Sequence, residues 1–260
     1  MSSGSSDRPV VLVTGAARRI GRAIALDLAA HGHDIALHCH HASAEAQATR
    51  DELRALGARA EIFAADLADE AACRALVPEA AGRFGRVDAL INNASRFAYD
   101  DAASFGHAEM ELHWRINTAA PVLLARALHE QLAARDAQGC VINLLDQKLA
   151  NPNPDYFSYT LSKAALQSAT VMLAQALAPR LRVCAVAPGV TLPSGDMNVA
   201  EFAAAQHLTP LRRGATPEDI AAAVRYLLGA RAITGATLLV DGGQHLAAQP
   251  RDVAFLVKTA

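Results

Sequence analysis

Cysteine is scarce. Its four occurrences, Cys39, Cys73, Cys140 and Cys184, are scattered and form no Cys-x-x-Cys pair. A disulfide framework is therefore not expected, and four reduced thiols in a cytoplasmic protein are. An excess of either charge is missing too: 24 Lys+Arg face 26 Asp+Glu, a net charge of −2. That balance excludes a strongly basic nucleic-acid binder and gives no attraction to an anionic membrane. No apolar run reaches the length of about 18 residues that a membrane span needs. Residues 1–8, MSSGSSDR, have no apolar core, so they read as a disordered N-terminus rather than a signal peptide. Internal repeats and low-complexity segments are also missing.

What is present is a globular composition, 52% hydrophobic and 19% charged over 260 residues. Short apolar runs predict strands at 9–13, 34–38, 59–64, 87–92, 140–145, 182–187 and 237–240. Helical spacing predicts helices at 20–30, 44–56, 69–84, 109–134 (interrupted by Pro121), 156–177 and 216–228. Strands alternating with long helices predict an α/β protein. The expectation is a single-domain Rossmann fold over residues 9–243, with a doubly wound seven-stranded parallel sheet and helices on both faces. Residues 188–215 show no clear periodicity, and a loop of that length within a compact domain suggests a substrate lid over 195–208.

The stretch Thr14-Gly15-Ala16-Ala17-Arg18-Arg19-Ile20-Gly21 joins the first strand to the first helix. Gly15 permits a tight turn and Gly21 a close helix–sheet approach, so the helix N-terminus can receive a pyrophosphate. Arg19 puts a guanidinium where many such loops have glycine. The macrodipole disfavours a cation at a helix start, which points to function. The second strand ends in His38-Cys39-His40-His41, with no acid for a ribose 2′-hydroxyl. With Arg18 nearby, this favours NADP; a metal site and a solvated loop are the competing readings of the histidines.

Tyr159 and Lys163 lie four apart on one helix face. An ammonium near a phenol is expected to lower the phenol's pKa. Asp146 follows the fifth strand, at the sheet edge where ligands bind, and a partly desolvated carboxyl group there can hold a proton at neutral pH. Asn117, inside a helix, is a candidate to hold a water or a backbone group.

Together, Thr14-Gly15 with Gly21, Asp66, Asn92-Asn93-Ala94, Asn117, Tyr159-x-x-x-Lys163, Pro188-Gly189 and Asp241-Gly242-Gly243 resemble the short-chain dehydrogenase/reductase family over nearly the whole chain. Arg19, Asp146 in place of a serine, and Asn93-Ala94-Ser95-Arg96-Phe97 are similar to the pteridine reductases and dihydromonapterin reductases within it. The resemblance implies NADPH held by Gly15, Arg18, Arg19, Ile20, Gly21, His38, His40, His41, Asp66, Leu67, Asn93, Ala94, Ser95, Lys163, Pro188 and Gly189. It implies a pterin or folate substrate contacted by Arg19, Ser95, Phe97, Asp146, Tyr159, Val190 and Thr191, with Phe97 sandwiching the ring against the nicotinamide. Asp146, Tyr159, Lys163 and Asn117 take the catalytic roles, and no metal is implied.

The expected reaction is NADPH-dependent reduction of a dihydropterin or dihydrofolate to its tetrahydro form. The alternative is a carbonyl reductase of the same family, acting on a ketone or oxoacyl group. Two departures stand out. His41 replaces an expected arginine, and Arg96 brings a charge beside the expected pocket. The tail 244–260 is longer than the resemblance leads one to expect, and is expected near a neighbouring subunit. The long helices 109–134 and 156–177 resemble those that pair in tetramers of the family, so the resemblance implies a homotetramer.

Overall fold

The computed structural model describes residues 8–193 and 197–258. Seven parallel strands form one sheet: β1 (Val10–Val13), β2 (Asp34–Cys39), β3 (Ala60–Ala64), β4 (Ala89–Asn92), β5 (Gly139–Leu144), β6 (Leu181–Pro188) and β7 (Thr237–Val240). Their spatial order is β3-β2-β1-β4-β5-β6-β7. This is the Rossmann fold that the alternation predicts. β1 pairs with both β2 and β4, so the chain reverses direction across the sheet there and opens a crevice at the strands' carboxyl ends.

Strand alternation divides the core. Val11 and Val13 of β1 face one layer, packed with Ile24 and Leu28 of α1 (Arg19–Ala30), Leu53 of α2 (Ala44–Ala55) and Val224 of α8 (Pro217–Gly229). Val10 and Leu12 face the other, packed with Leu76 of α3 (Glu70–Phe84) and Leu124, Leu128 and Leu132 of α5 (Ala120–Ala134). All of these side chains are buried, the source of the fold's main driving force.

Three local features differ from the sequence expectation. Arg8, placed with the disordered N-terminus, is ordered and donates to Ala29 O at 2.6 Å; residues 1–7 lie outside the described residues. The helix expected over 109–134 is built as α4 (His107–His113), a π-helical stretch Trp114–Ala119 and α5. Pro121 has no N–H for the Asn117 carbonyl, which accounts for the widened turn, and such turns recur at functional sites.

The aperiodic stretch contains α7 (Val199–His207), whose start is set by a reciprocal capping box between Asn198 and Glu201. Part of the expected lid, residues 195–196, lies outside the described residues. The tail forms a short turn at Gln244–Leu246 and α9 (Val253–Leu256), and packs over the carboxyl end of its own sheet. α6 (Phe157–Ala176) carries Tyr159 and Lys163 on its buried face. No helix among the described residues is long and apolar enough to cross a membrane.

Candidate active site

The glycine loop leaves β1 with Gly15 at φ +63°, in the left-handed region. A Cβ on Gly21 would sit 2.3 Å from Gly15 O, so only glycine lets α1 start so close to the turn. The residue before the helix, Arg18, provides no side-chain cap. The first N–H groups of α1 are therefore left to an external acceptor.

Arg19 sits at φ +54°, a conformation that costs a non-glycine residue about 1–2 kcal/mol. Its Nη2 donates to Pro193 O at 3.0 Å, bridging the glycine loop to the segment after β6. Its side chain lines the main cavity.

The loop after β4 is lashed to this turn. Asn93 Nδ2 donates to Thr14 O (2.9 Å) and Gly15 O (3.2 Å), while the N–H groups of Asn93 and Ala94 donate to Thr14 Oγ1 at 2.9 and 3.0 Å. Asn117, in the π turn, is buried and saturated. Its Oδ1 accepts from Arg96 N (2.8 Å) and Ser95 Oγ (3.2 Å), and its Nδ2 donates to Arg96 O and Ser162 Oγ, each at 3.0 Å. Asn117 thus ties the 95–96 turn to α6.

The three histidines separate. His38 is buried; its Nδ1 accepts from Gly15 N (3.2 Å) and its Nε2 donates to Ala65 O (3.0 Å). Burial pushes its pKa down to about 4, against the opposing pull of the Ala65 carbonyl. This corrects the expectation that His38 shares in phosphate binding, since both ring nitrogens are committed to bracing the loop. His40 and His41 are exposed and stacked, with ring centroids 3.8 Å apart, at the end of β2 with Arg18 also exposed on the glycine loop. Asp66 Oδ1 accepts from Ala68 N at 2.9 Å, and its Oδ2 lies 3.8 Å from His40 Nε2. The Leu67 side chain points into the core instead.

The main cavity opens at the strands' carboxyl ends, between Arg19 and Ile20 on one side and Phe97, Asp146 and Tyr159 on the other. Gly189, Val190 and Thr191 line it below β6. Pro188 ends β6, and a Cβ on Gly189 would lie 2.6 Å from that of Asp241. Val190 N donates to Gln244 Oε1 at 3.1 Å. Ser95 is exposed outside this lining, with its hydroxyl turned to Asn117 and Arg96 O. Arg96 also stays out of the cavity, because Glu109 holds its guanidinium through two contacts of 2.6 and 2.9 Å.

At the centre, the Tyr159 hydroxyl donates to Asp146 Oδ2 at 2.8 Å, and Asp146 Oδ1 accepts from Lys148 N at 2.8 Å. Burial pushes the Asp146 pKa up; the Lys148 N–H and the Tyr159 hydroxyl oppose this, and the Asp252 charge adds to it. Tyr159 is pushed well above the usual phenol range, by burial and then by Asp146. The expectation of a lysine-lowered phenol is therefore corrected. Lys163 Nζ donates to Leu144 O at 2.7 Å, lies 5.8 Å from the Tyr159 ring centre, and is itself brought down to about 8 by burial.

The residues that escaped the sequence reading include Lys148 and Asp252 in the cavity lining and Tyr156 behind Phe97. Tyr156, at φ +53°, stacks on Phe97 (4.2 Å between centroids), and Phe97 meets Tyr159 edge-on at 4.7 Å. Lys148 and Asp252 complete the wall. Only Asp252 had a local signal, as a cap ahead of the apolar Val253–Leu256.

A family model described as enoyl-(acyl carrier protein) reductase matches residues 15–245. The chain belongs to the short-chain dehydrogenase/reductase family. It is 41% identical, with a TM-score of 0.89, to the FolM alternative dihydrofolate reductase 1 of Brucella canis, crystallised with NADP; 96% of this chain and 98% of that one are covered. It is 31% identical to pteridine reductase 1 of Leishmania tarentolae, covering 93% of this chain and 98% of the relative. It is also 33% identical to the 3-oxoacyl-(acyl-carrier-protein) reductase FabG of Staphylococcus aureus, covering 90% and 97%. As a member of this family the protein is an NAD(P)-dependent oxidoreductase. The residues present fit such a cofactor, because Gly15 and Gly21 clear backbone space beside the uncapped N-terminus of α1.

Proposed function

We propose that this enzyme reduces a dihydropterin or dihydrofolate to its tetrahydro form with NADPH. The observation that carries the reading is the carboxyl group of Asp146, hydrogen-bonded to Tyr159 within the cavity and pushed by burial toward its protonated form. Protonating the nitrogen of a reduced C=N bond calls for such an acid, and a serine at this position would be too weak. The similarity to the FolM reductase of Brucella canis and to a pteridine reductase supports the same substrate class.

When bound, the cofactor supplies a hydride. Tyr159 holds the proton destined for the substrate nitrogen, and Asp146 replenishes it across the 2.8 Å contact. Lys163, anchored on Leu144 O, adds a positive charge beneath Tyr159. Arg19 faces the polar edge of the ring together with the phosphates, and Phe97, backed by Tyr156, offers an aromatic surface for the substrate ring. His40, His41 and Arg18, exposed at the end of β2, would receive a 2′-phosphate, which supports the preference for NADPH.

Replacing Asp146 with serine tests this reading. Turnover of 7,8-dihydrobiopterin should fall by about 10²–10⁴, the usual worth of a general acid. Unchanged turnover removes the relay. The similarity to FabG favours carbonyl reduction as a second reading, and oxidation of NADPH with an oxoacyl thioester but not with a dihydropterin would establish it.

A homotetramer belongs to the same reading. Exposed Leu112 and Trp114, on α4 and the π turn, and Leu161 and Met172 on α6 are apolar surface fit for burial against another copy. Light scattering that gives a monomer at micromolar concentration would refute it.

A further inference from the structure

The cavity's outer wall is made by the tail, and most of that wall lies beyond the stretch that the family model matches, residues 15–245. Ala247, Gln249, Asp252 and Val253 all line the space that Asp146 and Tyr159 face. The tail is built in, not draped. Arg251 grips Asp155 with contacts of 2.7–2.9 Å, and Asp252 N donates to Asp155 Oδ2 at 2.7 Å. Asp252 Oδ1 caps α9 through Ala254 N (3.1 Å). Phe255 packs edge-on against Tyr99 (5.4 Å between centroids) and lies 6.2 Å from Tyr156, the residue on which Phe97 stacks.

One carboxylate in this wall, that of Asp252, shares its cation with a backbone carbonyl. Lys148 Nζ lies 3.4 Å from Asp252 Oδ2, but its shorter bond, 2.5 Å, goes to Asp155 O. Arg251 is spent on Asp155. The charged groups facing Asp146 are then Lys163 from α6, Lys148 from the turn that follows it, Arg19 from the glycine loop, and Asp252 from the tail, with Tyr159 as its hydrogen-bond partner. In a partly buried cavity a like charge acts more strongly than it would in bulk solution.

We propose that Asp252 is a positioning residue of the reaction: from the C-terminal wall, its charge keeps the proton on the Asp146–Tyr159 pair. The kinetic part of this inference rests on the proton relay proposed above. A carboxylate in the same cavity wall, joined to Asp146 through Lys148, favours the protonated forms of both Asp146 and Tyr159. Its sign is opposite to that of Lys163, which favours the Asp146 anion.

Asp252→Asn is the test, because asparagine keeps the helix cap and removes only the charge. The first readout needs no cofactor. The carboxyl carbon of Asp146, followed by NMR and assigned with Asp146→Asn, should titrate with a midpoint about 0.5–1 lower in pH in Asp252→Asn than in the unsubstituted protein. The second is the alkaline limb of kcat/KM with 7,8-dihydrobiopterin and NADPH. Activity that needs a protonated Asp146 is lost as pH rises through its pKa, so this limb should move to lower pH by the same amount. NADPH affinity should be retained. An unmoved Asp146 midpoint overturns the inference, and so does a lowered melting temperature with both pH readouts unchanged. A moved midpoint with an unmoved limb overturns the relay, not the coupling between the carboxyl groups.

Discussion

Asp146 and Tyr159, thirteen residues apart in sequence, meet across a 2.8 Å hydrogen bond at the carboxyl end of the sheet. One stands at the exit of β5 and the other in the first turn of α6, so the parallel topology brings them to one edge. Burial pushes the pKa of both groups up, which favours a proton on each relative to water.

From this follows the pH dependence of the wild-type enzyme. The Asp146 carboxyl lies above its usual range, so activity relying on its proton is complete on the acid side and declines as pH rises through the raised value. Tyr159 remains protonated across that interval. Tyr159→Phe should cost about 10²–10⁴ in kcat with 7,8-dihydrobiopterin, while NADPH binding is kept. A phenylalanine variant with full turnover would show that the phenol carries no proton in the reaction.

Arg19 is held in a backbone conformation suited to glycine. Arg19→Gly should therefore leave stability unchanged or raise it by about 1 kcal/mol in urea unfolding. The same variant should lose kcat/KM, because the guanidinium facing the cavity and its link to Pro193 O are gone. Gain of stability together with loss of activity is the pattern expected where strain is retained for function. A destabilised variant would contradict the strain argument.

Cofactor choice depends on groups at the end of β2. With His40, His41 and Arg18 exposed there and no acidic residue within His38–His41, kcat/KM with NADPH should exceed that with NADH. His41→Arg should widen the ratio by lowering the KM for NADPH, since a guanidinium holds a phosphate in two-point contact. An NADH preference in the unsubstituted enzyme would remove the 2′-phosphate assignment.

The strands and most helices were legible because each is specified locally. Val10–Val13 is an uninterrupted apolar run, as a strand buried on both faces must be, and α1 and α8 carry apolar residues at helical spacing. α7 was missed although its capping box was readable, because the prolines and glycines around it obscured the periodicity. The glycine loop, Tyr159, Lys163 and Asp146 were legible by type and spacing. Their electrostatics were not. Lys163 appeared as a neighbour that lowers the phenol's pKa, but burial outweighs a charge whose ammonium is bonded to Leu144 O.

By itself, then, the sequence determined the alternation of elements, the sheet they form and the residue types available at the strand ends. Those depend on interactions within a few residues of each position. Only the tertiary structure decided that His38 faces inward, that Arg96 is held by Glu109, and that Asp252 joins a cavity more than a hundred residues earlier in the chain. Burial and long-range charge have no periodicity to read, because they arise only when distant segments exclude water from the same space.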